Sequence, residues 1–566
     1  MGGKENIGRH RIQTGEGPAE LEVHLVGPYP IIRHFLDKLG FLRMARSHLG
    51  TPKDSVLDPG ITLSLLIQEI LVSPLPLYKI SEWVDGISPG ALGITKAQKE
   101  ALNDDRVARV LETLASVRGK TLFFQIALHT IKRFELDCRQ IHNDTTTVTF
   151  HGAYKGSVEE PRITWGINKD YRPDLKQLVF GLNVTRDGGV PISHQVYSGN
   201  RTDDTIHLEN LEELREILGR SDFIYVADSK LCTKKNLADI ERYHGKFVTV
   251  LPRTWKEDKA FRKDLEDGEE VRWRKIHEEM EPDREFRTIW STTSGPKETS
   301  QGYRIIWYRD STKKALDAAA REERLKKTEE ELRALIPKLN RGVLKQRGAI
   351  KQKVQTILKK NRCEGLIDFS VVSTEKVSLT RLRRGRPRKG DPLREARTKI
   401  FHVEWKRNKA AIKARSRTDG VFPLVTNLSP QEASKVRVFL IYKDQALVER
   451  RHRVMKSELS VAPVYVKKPK RVQGILHATF LALVVYSLIE RELRKNMERM
   501  GKEEIPILPE SRSSKSPTTS RILEIFRDVS WYEFKRGEEH LVFPLKLTKL
   551  QKEVLGLLGM DQKNYI

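Results

Sequence analysis

The sequence predicts a mixed α/β fold, in which an α/β core follows a helical N-terminal domain and is interrupted by a large, basic insertion domain of mixed α+β character. Three observations lead to this prediction. Apolar residues recur at helical spacing from Pro30 to about Phe134. Short β-type runs then alternate with helical patterns from Leu136 to Leu251. Positive charge is concentrated between Ser311 and Gly420, where 32 Lys and Arg stand against 13 Asp and Glu.

Length and composition indicate a folded protein with an acidic partner. The 566 residues suffice for about three or four structural units. Lys and Arg number 103 against 76 Asp and Glu, which gives a formal charge of +27, and 38% of the residues are hydrophobic. That hydrophobic content is too high for a wholly disordered basic protein. We therefore expect a globular protein that binds a polyanion.

Several classes of protein do not fit the sequence. Cys138, Cys232 and Cys363 are scattered, which argues against a disulfide framework and against a cysteine zinc site. Residues 1–15 lack the apolar core of a signal peptide. The longest apolar run, Gly474–Ile489, has 16 residues, fewer than the roughly 20 that span a bilayer, and predicts a buried helix. We expect a cytoplasmic protein without a membrane partner.

The first part of the core is predicted as three consecutive strands followed by alternating helices and strands. Asp187-Gly188-Gly189 is typical of a hairpin turn between the second and third strands. The predicted elements are strands Ile141–Phe150, Leu178–Thr185 and Val190–Tyr197, helix Ile206–Leu218, strand Phe223–Val226, a helix near Lys235–Tyr243 and strand Phe247–Leu251.

The predicted insertion contains β-type runs, a helical hairpin and an Arg-rich tract. Apolar spacing predicts helices over Lys313–Asn340 and Leu344–Leu358 with Lys and Arg outward, which suits either DNA contact or simple solvation. The tract Arg381–Gly390 resembles an AT-hook, whose Gly-Arg-Pro core lies in the DNA minor groove. A loop that contacts only phosphates is the alternative. The predicted DNA-binding residues of the tract are Arg383, Arg384, Arg386, Arg388 and Lys389. The β-type runs are Phe286–Thr292, Tyr303–Tyr308, Phe369–Val372 and Ile400–Trp405.

Two aspartates at predicted strand positions are candidates for a metal site. Asp144 lies inside a strand, where an acid is a poor strand former and needs a reason to be present. Asp228 follows a short apolar strand, at the carboxyl end where ligands gather in α/β sheets. Acids at neighbouring strands suit Mg²⁺ or Mn²⁺, which act in pairs in phosphoryl transfer. For either residue alone, a turn or cap is the structural alternative.

A third acid, Glu449, lies on a predicted single helix, Val438–Glu458. Tyr442, Glu449 and Lys456 are spaced by seven residues, which returns each to the same helix face. Lys456 would then be placed to hold a DNA phosphate near the acid. The alternative is that these residues form a solvated helix face.

Together these residues resemble a DDE transposase of a bacterial or archaeal insertion sequence, in the group with a Tyr-x2-Arg-x3-Glu-x6-Lys signature. Here the signature reads Tyr442, Gln445, Glu449 and Lys456, with Gln445 in the place of Arg. Further similarity covers most of the chain and includes Leu102–Asp105, Asn143–Thr146, Lys169–Gln177, Ser198–Asn200, Val226–Asp228, Thr426–Asn427 and Arg471–Leu488.

The resemblance implies a ribonuclease-H-like core with the first Asp on strand one, the second after strand four, and the Glu on a later helix. It implies that Asp144, Asp228 and Glu449 are catalytic and bind two Mg²⁺ ions, with Mn²⁺ as the other candidate, for DNA cleavage and strand transfer by cut-and-paste transposition. Tyr442, Gln445 and Lys456 would contact the DNA. The implied partners are terminal inverted repeats, target DNA and a second copy of the chain in a synaptic homodimer, in a prokaryotic cytoplasm next to the nucleoid.

Five segments summarise the predicted organisation. They are a helical N-terminal domain that would bind DNA ends (1–135), the first part of the core (136–254), the basic insertion (255–418), the second part of the core with the Glu449 helix (419–500), and a linker with a small C-terminal unit (501–566). Two other functions fit the same sequence. One is a DNA-binding regulator derived from a transposase, without catalysis, and the other is a metal-dependent nuclease that does not transfer strands.

Overall fold

The chain forms two compact units. The computed structural model describes residues 10–14, 17–50, 55–152, 154, 160–169, 171–202, 206–280, 287–381, 393–461, 468–536 and 538–565. The first unit draws on Met1–Thr249 and Phe439–Ile566, and the second is the contiguous stretch Val250–Val438. The mixed α/β class predicted from the sequence is confirmed. The five functional segments stay a prediction.

The first unit begins with two strands and continues with helices. The strands were not predicted, whereas the helical region from Pro30 was. Several of the helices begin at residues suited to capping: the side chain of Asn103 accepts from the backbone N–H of Arg106, as predicted for an N-cap Asn. The elements are β1 (His10–Thr14), β2 (Gly17–Leu25), α1 (Tyr29–Lys38), α2 (Phe41–Leu49), α3 (Pro59–Val72), α4 (Ile80–Asp85), α5 (Pro89–Leu92), α6 (Lys96–Glu100), α7 (Asp104–Leu114) and α8 (Val117–Phe134).

Five strands of the first unit form the sheet that carries the candidate site. They are β3 (Gln140–Phe150), β4 (Lys176–Thr185), β5 (Pro191–Ser198), β6 (Ile224–Val226) and β7 (Lys246–Val250), with α9 (His207–Leu218) and α10 (Lys234–Arg242) between the later strands. Their order is β5-β4-β3-β6-β7. β3, β4 and β5 are antiparallel, and β6 and β7 run parallel to β3. All of these elements match the predicted ones within a few residues.

The second unit contains four consecutive antiparallel strands of a sheet, a two-stranded ribbon and a helical hairpin. Its elements are α11 (Lys256–Asp267), β8 (Arg274–Met280), β9 (Arg287–Thr293), β10 (Arg304–Asp310), α12 (Ser311–Leu335), α13 (Arg347–Lys360), β11 (Ile367–Arg381), β12 (Leu393–Arg407), α14 (Lys409–Ser416) and β13 (Val421–Thr426). The four antiparallel strands have the order β13-β10-β9-β8, and β11 pairs with β12 to form the ribbon. Helix α12 ends before the predicted Asn340 because Pro337 has no N–H to continue the helix.

The remaining elements include the helices around Glu449. They are α15 (Lys435–Lys443), α16 (Ala446–Ser457), α17 (Pro469–Arg499), α18 (Thr519–Glu524), β14 (Ser530–Arg536), β15 (Glu539–Phe543) and α19 (Lys549–Leu557). Strand β14 pairs with β2, so the described N-terminal and C-terminal strands share one sheet of order β1-β2-β14-β15. This pairing was not predicted.

The prediction of a single helix over Val438–Glu458 is wrong. A turn at Asp444 and Gln445 separates α15 from α16, although Gln445 keeps helical backbone angles (φ −57°, ψ −26°). Asp444 accepts a 2.8 Å hydrogen bond from Arg186 Nε on the turn after β4, and the side chain of Gln445 is buried. Tertiary hydrogen bonds of these two side chains therefore outweigh the local preference for a continuous helix.

Helix α17 supplies much of the core of the first unit. It packs against α3, α7, α16 and β5. Its most apolar stretch would be long and apolar enough to cross a membrane, with a mean hydropathy of 1.8, but 89% of that stretch is buried inside the structure. The prediction of a buried helix over Gly474–Ile489 is confirmed.

Candidate active site

Asp144 lies on β3, and Asp228 lies two residues beyond the end of β6, the strand that pairs in parallel with β3. His142 is paired with Val226, and each aspartate follows two residues beyond this pair. Because side chains alternate along a strand, an offset of two places both aspartates at the same level and on the same face. Both are half-buried. The parallel register alone thus accounts for their proximity.

Asp228 also has a structural role. Its Oδ1 accepts a 2.9 Å hydrogen bond from the backbone N–H of Lys230, and its carbonyl oxygen accepts from Thr249 Oγ1 at 2.6 Å. The turn role that the sequence allowed is therefore present. A carboxylate has about four acceptor sites, so this turn leaves acceptor capacity for a cation.

Tyr442, near the end of α15, lies where the three predicted acids converge. Burial raises the pKa of Tyr442, and the negative charges of Asp228, Glu449 and Asp144 raise it further. The packing of the elements agrees with this, because α16 contacts β3 and β3 pairs with β6. The structure therefore brings the elements of Asp144, Asp228 and the exposed Glu449 together, although they are far apart in sequence.

Two lysines border this carboxylate cluster. Lys169 Nζ lies 3.5 Å from Asp144 Oδ1 and donates to the carbonyl and hydroxyl oxygens of Thr145 at 2.6 and 2.8 Å. Burial, together with the positive charges of Lys169 and Lys456, lowers the pKa of His452 on α16 to about 3. Lys456 lies on the same helix, one turn after His452. Lys169 was not among the predicted site residues, although its segment contributed to the resemblance.

Gln445 does not occupy the position of a DNA contact. It is buried, and its Oε1 accepts from His142 Nδ1 at 3.0 Å while its Nε2 donates to the carbonyl oxygen of Asn143 at 2.7 Å. His142 Nε2 accepts in turn from Gln140 at 2.8 Å, so these partners require a neutral imidazole. Burial lowers the pKa of His142 to about 4, which agrees. The prediction of Gln445 as a DNA-binding residue does not fit this placement, because both ends of its amide are used to hold the helix break against β3.

Replacing Gln445 distinguishes these two roles. Gln445→Ala leaves the buried N–H of His142 and the carbonyl of Asn143 without their partner, so we expect a loss of about 1–3 kcal/mol of stability. Thermal unfolding measures this loss. Lys456→Ala is the matched comparison and should weaken DNA binding with little change in stability. Native stability together with weakened DNA binding in Gln445→Ala would restore the contact predicted from the sequence.

Helix α16 is fixed by a buried arginine next to Glu449. The side chains of Arg451 and Glu490 on α17 are each 2% exposed, and their Nη2 and Oε2 atoms are 2.6 Å apart. Arg451 also donates to the carbonyl oxygens of Gly189 at 2.9 Å and Gly188 at 2.7 Å, in the turn between β4 and β5. One side chain thus joins α16 to the sheet and to α17.

The acids fit hard divalent cations by their chemistry. Carboxylate oxygens are the preferred protein ligands of Mg²⁺ and Mn²⁺. Among the described residues, the carboxylate oxygens of Asp144, Asp228 and Glu449 do not form a group in which all ligand atoms lie within 4.8 Å of one another.

Five of the predicted site residues lie outside the described residues. They are the members of the Arg-rich tract, Arg383, Arg384, Arg386, Arg388 and Lys389.

Comparison with known proteins identifies the family. A family model for the transposase DDE domain matches residues 140–485, and a domain of unknown function (DUF4277) matches residues 21–128. No curated protein matches the sequence. Among solved structures, the cryo-EM structure of a piggyBac transposase synaptic complex with hairpin DNA aligns with 92% of this chain and 82% of that chain, at a TM-score of 0.37 and 8% identity, a similarity too remote to assign residues. The family match covers more than half of the chain and all three acids of the cluster, and the protein therefore belongs to the DDE transposases, enzymes that cleave DNA and transfer the cut strands.

Proposed function

We propose that this transposase binds the ends of an insertion sequence and moves it by cut-and-paste transposition, with Asp144, Asp228 and Glu449 as its catalytic residues. The observation that carries the proposal is the packing of α16, the helix of Glu449, against β3, the strand of Asp144, which pairs in parallel with the strand that precedes Asp228. The strand order β5-β4-β3-β6-β7 supports a ribonuclease-H-like core, since the first three strands are antiparallel and the next two parallel to the first. In that core, the acids stand on strand one, after strand four and on a later helix.

DDE transposases use divalent metal ions, and the three carboxylates would hold two Mg²⁺ or Mn²⁺ ions. Bound there, such ions lower the pKa of water and stabilise the charge on the attacking and leaving oxygens of a phosphodiester. The protein's own contribution is positional. The register of β3 and β6 sets the two aspartates, and Arg451 sets the helix of Glu449.

The lysines that border the carboxylate cluster would hold the DNA backbone. Lys169 and Lys456 would pair with phosphate oxygens on either side of the scissile bond, where their charge offsets the repulsion between the acids and the DNA. The half-buried Tyr442 would donate a hydrogen bond from its hydroxyl to a phosphate oxygen, because its raised pKa keeps the hydroxyl protonated.

The proposed partners are double-stranded DNA and a second copy of the chain. Terminal inverted repeats and target DNA are the substrates, residues 1–135 bind the ends, and the tract around Arg386 contacts the flanking duplex. Because two ends must be joined in one reaction, a homodimer in the synaptic complex follows. The site of action is the prokaryotic cytoplasm, at the nucleoid.

Cleavage of the element's own end tests the proposal. Purified protein is incubated with a labelled duplex that spans the end and its flank, with Mg²⁺ or with a chelator, and with a target plasmid. We expect cutting at the element boundary and joined products with Mg²⁺, and neither with the chelator. Cutting without joined products would indicate a nuclease instead. Tight binding without cutting in Mg²⁺ or Mn²⁺ would indicate a regulator without catalysis.

A further inference from the structure

Helix α13, in the second unit, has the surface of a DNA recognition helix. We propose that α13 enters the major groove of duplex DNA and contacts base edges through Gln352, Gln355 and Thr356, so that the second unit adds sequence preference to DNA binding. The inference rests on the proposed function, because it takes DNA as the substrate, and it deepens that function by naming a surface that reads the substrate.

The charge around α13 is mostly positive. Residues 332–363 are all described, and they contain ten Lys and Arg and no Asp or Glu. Glu331 and Glu364 flank this stretch, and Glu331 pairs with Lys360 at 3.0 Å. All ten are exposed. They are Arg333, Lys338, Arg341, Lys345, Arg347, Lys351, Lys353, Lys359, Lys360 and Arg362. An ordinary solvated helix carries both signs, so a stretch with only positive charge indicates a polyanionic partner.

Packing fixes which side of α13 faces outward. Ile350, Val354, Ile357 and Leu358 are buried in the hydrophobic core of the helical hairpin and the base of the β11–β12 ribbon. These positions recur every three or four residues and therefore occupy one helix face. The opposite face is held toward solvent by this packing.

The outward face has hydrogen-bonding side chains at its centre and cations at its margins. Gln352, Gln355, Thr356 and Lys359 are exposed on one helix face, and together with Glu364 they line a groove of about 490 Å³. One margin carries Lys351. The other margin carries Lys353 and Lys360, which are seven residues apart, and Lys360 also pairs with Glu331 at 3.0 Å.

This arrangement corresponds to the chemistry of the major groove. The groove is about 12 Å wide and admits an α-helix, with base edges at its floor and phosphates along both walls. Glutamine pairs with the N6 and N7 atoms of adenine, and threonine contacts base edges or the thymine methyl group. The lysines at the two margins would meet the phosphates of the two strands, which position a helix without reading sequence.

Other polyanions fit this face less well. A helix that lies on an anionic membrane inserts an apolar face, whereas the apolar face of α13 is buried in the core. The major groove of A-form RNA is too deep and narrow to be read by side chains. B-form DNA is the polyanion whose major groove offers base edges to the glutamines and threonine and phosphates to the lysines at the margins.

Selection of duplexes from a randomised pool tests the inference. Full-length wild-type protein and the double variant Gln352→Ala/Gln355→Ala are each used to select DNA from a pool with a randomised central stretch, and the bound duplexes are sequenced. We expect the double variant to lose base preference at a subset of positions, by about 10-fold or more for each lost contact. Gln346→Ala, at an exposed glutamine just before α13, should select the same sequences as the wild type. Identical selected sequences for the double variant and the wild type would overturn the inference.

A second pair of variants tests the cationic margins. Lys353→Ala/Lys360→Ala should weaken binding equally on all duplexes and reduce the salt dependence of affinity by about one unit of slope for each lost phosphate contact. An unchanged salt slope would contradict the placement of these lysines on phosphates. Cleavage by the wild type separates the role of α13 from the proposed catalytic function. If the wild type cuts DNA and the glutamine variant selects the same sequences, only the role of α13 is rejected. If the glutamine variant selects different sequences but the wild type does not cut, only the catalytic function is rejected.

Discussion

Asp228→Asn is expected to reduce DNA cleavage by roughly a thousandfold or more while leaving the fold intact. Asparagine keeps the Oδ1 acceptor for the N–H of Lys230, and the backbone carbonyl bond to Thr249 is unaffected, so the turn survives. The negative charge that binds the cation is lost, and groups that act as one catalytic unit fail together when one is removed. Stability should change by less than about 0.5 kcal/mol. Single-turnover cleavage of a labelled end, with thermal unfolding in parallel, measures both quantities.

Asp222→Asn provides the matched control. Asp222 precedes the same strand β6, is exposed and pairs with Arg220 at the surface. This control variant should cleave at the wild-type rate. Asp144→Asn and Glu449→Gln should behave like Asp228→Asn, and all three should retain DNA binding. Any one of them that still cuts DNA at a wild-type rate would be removed from the catalytic set.

Arg451→Ala is expected to cost about 2–4 kcal/mol of stability. The substitution removes one of the two arginines that pair with the buried Glu490, the other being Arg494 at 2.8 Å, and takes hydrogen bonds from the carbonyls of Gly188 and Gly189. Since Arg451 also connects the Glu449 helix to the sheet, cleavage should fall even at temperatures where the variant remains folded. Urea unfolding, together with cleavage at low temperature, measures the two effects.

The control for this prediction is on the same helix. Arg453→Ala removes an exposed arginine of α16 and should change stability by less than about 0.5 kcal/mol. The double variant Arg451→Met/Glu490→Met replaces the buried pair by apolar side chains and should recover part of the lost stability. Arg494 loses Glu490 in this variant but still donates to the carbonyl oxygens of Ser516 and Pro517. Equal stability of Arg451→Ala and the wild type would show that the buried pair does not hold α16.

Local patterns predicted most of the secondary structure, because strands and helices here have clear periodicity. The five strands of the core sheet and the helical hairpin lie within a few residues of the predicted positions. The acids were recognised from strand ends and from the spacing of a signature. Their convergence follows from a parallel register, which the alternation of strands and helices already favours.

Features that depend on distant partners were not predicted. The break at Asp444 and Gln445 exists because Arg186 and His142, about 250 to 300 residues earlier, bind these two side chains. No local signal separates such a glutamine from one on a solvated helix. Strand β14 likewise has only seven residues and a partner at the other end of the chain, so its sequence alone does not show which strand it joins.

The order of these elements along the sequence has a consequence for folding during synthesis on the ribosome. Asp144 and Asp228 are synthesised first, the contiguous stretch Val250–Val438 follows, and Glu449 and strand β14 come afterwards. About 500 residues are synthesised between β2 and its partner β14, which takes roughly 25–100 s at a translation rate of about 5–20 residues per second. A nascent or prematurely ended chain could therefore complete the second unit while holding only two of the three acids. With Asp144, Asp228 and Glu449 as the proposed catalytic set, nuclease activity would require translation past the insertion.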